Sequence, residues 1–194
     1  MDDLILKIER KVKKELDQYR YMHTLGVMYT AASLAMRYQA DVKDAMIAGL
    51  LHDCAKCIPG QDKIRLCKKY DIDITPIELS NPGLLHAKLG AYLAKKEYQV
   101  ENEDILQAIR SHTTGRPDMS LLEKIIYIAD YIEPGRNPLP NMDLVRKLAF
   151  EDLDECLFVM LKDSLEYLNS RNIPIDPMTE QTYEFYNKIK EKRA

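Results

Sequence analysis

Apolar residues recur at helical spacing along almost the whole chain, and this pattern restricts the fold more than any other feature. In the first segment, Leu4, Ile8 and Val12 are separated by four residues each. The best strand candidate, YDIDITPI (70–77), is short, contains a proline and has no partner run. We therefore predict an all-α fold with helices over 2–17, 20–38, 42–57, 61–70, 84–97, 103–113, 119–132, 142–148, 150–170 and 178–191.

Segment 42–57 is the predicted centre of this fold. It contains AMIAGLLH, which is apolar on nearly every side of a helix and is typical of a helix buried all round. Asp41 precedes the segment as the predicted N-cap, and Pro59-Gly60 follows it as a stop signal. The chain has no internal repeat and no linker rich in Gly, Ser or Pro, so residues 1–194 are predicted to form a single compact domain.

Composition narrows the class of protein further. Hydrophobic residues make up 46% and charged residues 30%, as in soluble globular proteins, and no apolar run approaches the roughly 20 residues of a membrane span. The acidic N-terminus has no small-residue cleavage site, and the four cysteines are expected to be reduced thiols, so we predict a cytoplasmic location. The net charge of −3 argues against a nucleic-acid partner.

The chain has only four histidines, and each falls near a predicted helix end or loop: His23, His52, His86 and His112. Two aspartates, Asp53 and Asp130, follow apolar runs, where a carboxylate is costly unless it is paired, hydrogen-bonded or bound to metal. Imidazole and carboxylate together favour iron or manganese over zinc. The alternative, that these are unrelated core or surface residues, is left open by the residues alone.

The neighbours His52 and Asp53 raise a geometric question. Adjacent residues on a helix point about 100° apart and do not share a face. They can reach one metal only if it lies over the side of the helix between them, or Asp53 must bridge to a second metal. Either arrangement requires a central helix that is crossed by others.

Cys54 and Cys57 form a CxxC spacing beside this pair. A zinc site would need a second ligand pair, which Cys67 and Cys156 do not supply, and thioredoxin-like redox chemistry would need a βαβ context. We interpret the two cysteines as incidental residues of a helix. The chain also has no Walker-type phosphate loop.

Longer blocks of sequence resemble a known family. The order His23, His52-Asp53, Asp130 is similar to the H…HD…D signature of HD-domain metal-dependent phosphohydrolases. AGLLHDCAK (48–56), HAKLGAYLA (86–94), and above all AIRSHTTGRPDMSLLEKIIYIADYIEPGR (108–136) resemble the bacterial YqeK-type group, the symmetrical bis(5′-nucleosyl)-tetraphosphatases. IPIDPMTEQTYEFYN (173–187) also matches, so the resemblance extends over nearly the whole chain.

This resemblance implies a single compact HD-domain helical bundle, with a core over 18–135 and C-terminal helices over 142–191 that close a nucleotide site. It implies iron as the metal, as one or two ions, with manganese or another transition metal as alternatives. The implied metal ligands are His23, His52, Asp53 and Asp130, joined by His86 and His112 if a second metal is present.

The implied reaction is the hydrolysis of diadenosine tetraphosphate to two ADP by a metal-activated water. The implied catalytic residues are Asp53, Lys56, His86 and His112. Lys56 would neutralise a phosphate, although it could equally be a solvated lysine at a helix C-terminus. The implied substrate-binding residues are Arg20, His52, Asp53, Lys56, His86, His112, Asp130, Arg136, Ile173, Pro174, Ile175, Asp176, Pro177 and Met178.

Several details stay open at the level of sequence. Arg116 is a weaker candidate for phosphate binding than Arg20 or Arg136, and Thr179 could be only the N-cap of the last helix. Rival functions are HD-domain hydrolysis of another nucleotide, a nucleotide-binding regulator without turnover, and a di-iron oxygen-binding bundle. The expected partner is a small nucleotide, not a nucleic acid or a membrane, and the amphipathic terminal helices would suit a homodimer.

Overall fold

The helices form the scaffold that the periodicity predicts. A computed structural model describes residues 2–137 and 139–193, and these form eleven α-helices, one short 3-10 helix at Pro82–Leu84 and no strand. The all-α prediction is therefore confirmed for this part of the chain. The helices are α1 (Asp3–Glu15), α2 (Gln18–Tyr38), α3 (Val42–Leu51), α4 (Gly60–Lys69), α5 (Pro76–Ser80), α6 (Leu85–Tyr98), α7 (Glu103–Ser111), α8 (Leu121–Ile132), α9 (Met142–Leu148), α10 (Leu153–Ser170) and α11 (Pro177–Arg193).

Helix α3 lies at the centre of the bundle, as its all-round apolarity predicts. Ala45, Ala48 and Leu50 are fully buried, and the predicted N-cap Asp41 accepts a hydrogen bond from the backbone N–H of Asp44. Helix α2 packs closely on α3, because a Cβ added at Gly49 would lie only 2.8 Å from Cα of Met28. Glycine at this position lets the two backbones approach and brings the ligands of both helices together.

Helix α3 ends at Leu51 and not at Cys57, so the predicted helix over 42–57 is too long. The His52 side chain donates through Nδ1 to the carbonyl of Gly49 at 2.7 Å, which is the carbonyl that the N–H of Asp53 would use in a continuing helix. Tight turns follow, with the N–H of Cys54 donating to the carbonyl of Leu51. His52 itself keeps helical backbone angles, and the chain leaves the regular helix after it, so Asp53 lies in the first of these turns.

One short helix and the start of the last helix differ from the prediction. Helix α5 has only five residues, too few to show a period, and begins with a capping box in which Thr75 and Glu78 bond to each other's backbone N–H groups. The last helix begins at Pro177, where Asp176 accepts from the N–H of Met178. Thr179 thus lies inside the first turn of α11 and is not its N-cap.

The C-terminal helices pack on the same core. Tyr186 of α11 is fully buried, and its hydroxyl accepts from the N–H of Met119. Thr182 donates to the carbonyl of Thr114 in the loop after α7. These contacts tie α11 to the loop that carries one of the predicted site histidines. No helix within residues 2–137 and 139–193 is long and apolar enough to cross a membrane.

Candidate metal centre

The four histidines and both aspartates meet at one place, although they come from five separate parts of the chain. His23 lies in α2, His52 and Asp53 follow α3, and His86 begins α6. His112 caps the end of α7, and Asp130 lies in the last turn of α8. His23 Nε2 is 3.0 Å from Asp130 Oδ1, and His86 Nε2 is 3.2 Å from Asp53 Oδ1. The structure thus groups the predicted ligands.

Three of the histidine rings are oriented by the same type of hydrogen bond to the backbone. Nδ1 of His52, His86 and His112 lies 2.6 to 2.7 Å from the backbone carbonyl three residues earlier, on Gly49, Gly83 and Ile109 respectively. A carbonyl can only accept, so Nδ1 carries the proton and Nε2 keeps its lone pair. This arrangement is typical of metal-binding histidines, whose other ring nitrogen is held by a hydrogen bond.

The fourth histidine is oriented by a residue that the sequence reasoning missed. Nδ1 of His23 lies 3.0 Å from Oε1 of Glu133, which is buried just after α8 and also accepts from the N–H of Gly135. A Cβ at Gly26 would lie too close to Oε2 of Glu133 for both atoms to fit. A buried carboxylate requires a partner, but its partner is 110 residues away, so only the fold reveals the pair.

The Nε2 atoms face one another across very short gaps. His86 Nε2 is 3.0 Å from His112 Nε2, and His52 Nε2 is 3.4 Å from His23 Nε2. Burial lowers the pKa of His52 and of His86 to about 4, so both rings are neutral at pH 7. Lone pairs that face each other at such distances call for a cation between them.

The two aspartates complete the donor set. Asp53 is almost fully buried, and its Oδ1 has no hydrogen-bond partner among the described residues. Burial alone would raise the pKa of Asp53, but His52, His112, His86 and the nearby Lys56 hold it well below its usual range. The pKa of Asp130 is also lowered, because His23, His52 and Arg136 outweigh the effect of burial. Both groups are therefore carboxylates at neutral pH.

These side chains could hold a divalent metal ion. Two overlapping triads each place three donor atoms within 4.8 Å of one another, namely His23, His52 and Asp130, and His52, Asp53 and His112. Imidazole nitrogen and carboxylate oxygen are ordinary ligands of divalent transition metals. The Oδ1 atom of Asp53, a member of the second triad, has no hydrogen-bond partner among the described residues. It lies 3.2 Å from His86 Nε2 and 3.5 Å from His112 Nε2, where a cation would satisfy it.

Three cationic side chains surround the centre. Arg20 Nη1 is 2.6 Å from Asp53 Oδ2, and Arg136 Nη2 is 2.6 Å from Asp130 Oδ1. Lys56 Nζ lies 3.1 Å from His86 Nε2 and 3.5 Å from Asp53 Oδ1, so it faces the centre from the turn after α3. The weaker candidate Arg116 pairs instead with buried Glu123 at 2.5 Å and lies outside this group.

A hollow of about 350 Å³ opens beside His112, and we call it the C-terminal hollow. Ile173, Pro174 and Asp176 form one wall, and Thr113 lies at the end nearest the centre, with its hydroxyl 3.1 Å from His86 Nε2. Met178 lines a neighbouring hollow and is partly exposed. Ile175 and Pro177 line neither of these two hollows.

The two cysteines of the CxxC spacing differ in their exposure to solvent and in their neighbours. Cys54 is buried and its thiol lies 3.6 Å from the carbonyl of Gly90, whereas Cys57 is exposed and its thiol lies 3.5 Å from Asp17 Oδ2. Burial raises the pKa of the Cys54 thiol above its usual range. Neither sulfur contributes to the two metal-binding triads.

The chain is similar to proteins of the HD-domain class. A helical bundle with this histidine–aspartate centre matches the family model described as "HD domain" over residues 20–135. A solved structure, a predicted HD superfamily hydrolase involved in NAD metabolism from Clostridium acetobutylicum, superposes with a TM-score of 0.90 at 42% identity, covering 94% of this chain and 96% of that one.

Two curated relatives narrow the assignment. The symmetrical bis(5′-nucleosyl)-tetraphosphatase of Bacillus subtilis (strain 168) is 47% identical over 172 residues, which is 89% of this chain and 91% of that protein. The protein of the same name from Halalkalibacterium halodurans is 45% identical with the same coverage. The chain belongs to the family of symmetrical bis(5′-nucleosyl)-tetraphosphatases, within the HD-domain class.

Proposed function

We propose that the protein hydrolyses dinucleoside tetraphosphates symmetrically, with diadenosine tetraphosphate as substrate and two ADP as products. One water molecule is consumed, and the bond between a central phosphorus and the central bridging oxygen breaks. The observation that carries this proposal is the convergence of three cations, Arg20, Lys56 and Arg136, on one histidine–aspartate centre. A polyphosphate is the ligand class that needs both a metal and several cations at once. The names of the Bacillus and Halalkalibacterium relatives support the same substrate.

Within this proposal His23, His52, Asp53 and Asp130 hold the metal, and His86 and His112 hold a second ion or contact phosphate. A divalent cation there would polarise the phosphoryl oxygen and lower the pKa of its bound water toward neutrality. The two triads, which share His52, support a site for one or two ions. With two ions the carboxylate of Asp53 would serve both, since its Oδ1 faces His86 and its Oδ2 faces His52. We favour iron because of the mixed nitrogen and oxygen donors, with manganese or another transition metal as alternatives.

The remaining residues act on the substrate. Lys56, His86 and His112 lie on one side of Asp53, where they can neutralise and orient the phosphate under attack. Arg20 and Arg136 each contact a ligand aspartate and are 21% and 34% exposed, which leaves part of each guanidinium free for phosphate oxygens. We assign the nucleoside to the C-terminal hollow, so that residues 142–191 close the site and Ile173, Pro174 and Asp176 border the base.

The alternatives predict different products. An HD-domain enzyme for another nucleotide would release triphosphate or pyrophosphate from its own substrate, and a regulator would bind without turnover. A di-iron oxygen-binding bundle would have no use for Arg20, Lys56 and Arg136 around the centre.

A homodimer and a cytoplasmic location stay predictions from the sequence.

The test is a product assay on anaerobically purified protein of known metal content. Diadenosine tetraphosphate should give ADP alone, separated by anion-exchange chromatography, and activity should follow iron content after removal and reconstitution. In water enriched in ¹⁸O, one label should enter one ADP for each substrate cleaved. Release of ATP and AMP would contradict symmetrical cleavage, and tight binding without products would favour the regulator.

A further inference from the structure

Another hollow adjoins the centre at His23. It has a volume of about 370 Å³ and is lined on one side by Tyr19, Met22 and Tyr29 of α2. Pro134 and Gly135 form the other side, and His23 reaches its floor. We call it the aromatic hollow. Its volume lies within the range of about 300–1,000 Å³ that is usual for small-ligand sites.

Three large apolar side chains line the aromatic hollow together, and all three are exposed to solvent. Tyr19, Met22 and Tyr29 are 67%, 58% and 57% exposed, and their spacing of three and seven residues places them on one face of α2. Grouped exposed aromatic side chains mark binding surfaces more often than isolated ones do. The Tyr19 ring also lies 6.0 Å from the guanidinium carbon of Arg20, which itself bonds to Asp53.

The two hollows adjoin different histidines of the centre. The C-terminal hollow meets it at Thr113, whose hydroxyl contacts His86 and His112. The aromatic hollow meets it at His23, which contacts Asp130 and Glu133. Asp53 faces both, with Oδ1 3.2 Å from His86 Nε2 and Oδ2 3.9 Å from His23 Nε2, so a linear ligand whose middle is held at Asp53 can reach a hollow with each end. Arg20 bonds to Oδ2 of Asp53, the oxygen nearer His23.

We propose that the aromatic hollow binds the second purine nucleoside of the substrate, with its base against Tyr19 and Tyr29. This inference rests on the proposed function, because cleavage at the centre of a symmetrical dinucleotide requires a nucleoside on each side of the attacked bond. Aromatic rings stack on purine bases without needing a base-specific hydrogen bond. The hollow has tyrosines, a flexible methionine and a nearby arginine for such a contact.

The test compares a two-base ligand with a one-base ligand. Tyr19→Ala and Tyr29→Ala should raise the KM for diadenosine tetraphosphate roughly 5- to 100-fold, the loss expected when one stacked base loses its partner. Their kcat should stay near that of the wild type. The Ki of adenosine 5′-tetraphosphate as a competitor should not change, because its single base occupies the C-terminal hollow. Tyr29→Phe keeps the aromatic ring, so its KM should equal that of the wild type.

Met36→Ala is the matched control, since Met36 lies on the same helix, is 64% exposed and does not line the hollow. An unchanged KM in both tyrosine variants, or equal changes in KM and Ki, would overturn the proposal. A change in molar mass of the tyrosine variants by light scattering, with KM constant, would overturn it in favour of a contact between copies. Failure of the wild type to form ADP would instead refute the proposed function, and this inference with it.

Discussion

Glu133 Oε1 lies 3.0 Å from Nδ1 of His23, so a buried carboxylate fixes the ring of a histidine 110 residues earlier in the chain. We predict that Glu133→Ala lowers metal affinity about 10- to 100-fold, the usual effect of removing such a partner. Glu133→Gln keeps an acceptor oxygen and should recover part of that loss. Competition with a metallochromic chelator measures the affinity without any enzyme assay.

Glu78→Ala is the control for this prediction, because Glu78 is also a buried glutamate but bonds to Thr75 and Lys88 and not to a histidine. It should lower stability and leave metal affinity unchanged. Gly26→Ala should resemble Glu133→Ala, since the new methyl group would displace the carboxylate of Glu133. Equal metal affinity in the wild type and Glu133→Ala would contradict a positioning role.

Asp53→Ala should abolish both metal binding and hydrolysis. The reason is that Asp53 is buried in the centre, with Oδ1 3.2 Å from His86 Nε2 and Oδ2 3.5 Å from His52 Nε2. Elemental analysis and the ADP assay measure the two losses, and circular dichroism checks that the helices persist. Asp73→Ala, which removes an exposed carboxylate, should behave as the wild type. Full metal content and full activity in Asp53→Ala would refute the assignment of the centre.

Arg136→Ala should raise the KM for diadenosine tetraphosphate roughly tenfold, as expected for the loss of one charge-assisted hydrogen bond. Its effect on metal content should be smaller, because Asp130 keeps His23 as a partner at 3.0 Å. Arg116→Ala should instead lower stability with little change in KM, since its partner Glu123 lies away from the centre. Loss of metal in Arg136→Ala would give that arginine a structural role only.

Glu123 should contribute stability that depends on pH. Burial would raise its pKa, but Arg116, the Ser120 N–H and Ser111 lower it below the ordinary value of 4.5. Its contribution is therefore complete above pH 4.5 and is lost as the pH falls through the folded-state pKa. Glu123→Gln should cost about 1–3 kcal/mol at pH 7 by urea unfolding.

The same cost should shrink at pH 3, which is below the ordinary pKa of 4.5, because the carboxyl of the unfolded chain then takes up a proton and the advantage of the folded carboxylate is smaller. Glu101→Gln, a change at an exposed carboxylate, is the control and should leave the free energy of unfolding unchanged at both pH values. A cost for Glu123→Gln that is equal at pH 7 and pH 3 would show that the charge of Glu123 is not what stabilises the fold.

Cys57 should react with iodoacetamide in the native protein, and Cys54 should not. Cys57 is exposed, whereas Cys54 is only 6% exposed and packs against α6 at Gly90. Mass spectrometry of the labelled peptides reads both sites in one experiment, and labelling in urea provides the fully reactive reference. Equal labelling rates under native conditions would mean that the turn after α3 opens readily.

Local chemistry is why so much of the fold follows from sequence. The 3.6-residue period of apolar side chains and the cap at Asp41 act over a few residues, and they predict the long helices. Contrary to the prediction, Pro59-Gly60 does not end α3 but lies at the start of α4. The histidines and aspartates were found because polar residues in apolar runs need partners. Their resemblance to a family then added the reaction and the substrate, which no periodicity contains.

Only the tertiary structure decided how these residues meet. Helix α3 ends at Leu51, where the His52 side chain bonds to the carbonyl of Gly49, and the apolar period does not predict this end. The pairing of Glu133 with His23 and the aromatic hollow on α2 arise from contacts between helices far apart in sequence. Sequence alone determined which segments are helical and which side chains are costly to bury, because both depend on neighbouring residues. The centre itself depends on packing, since its histidines and aspartates come within reach of one another only when helices far apart in sequence pack together.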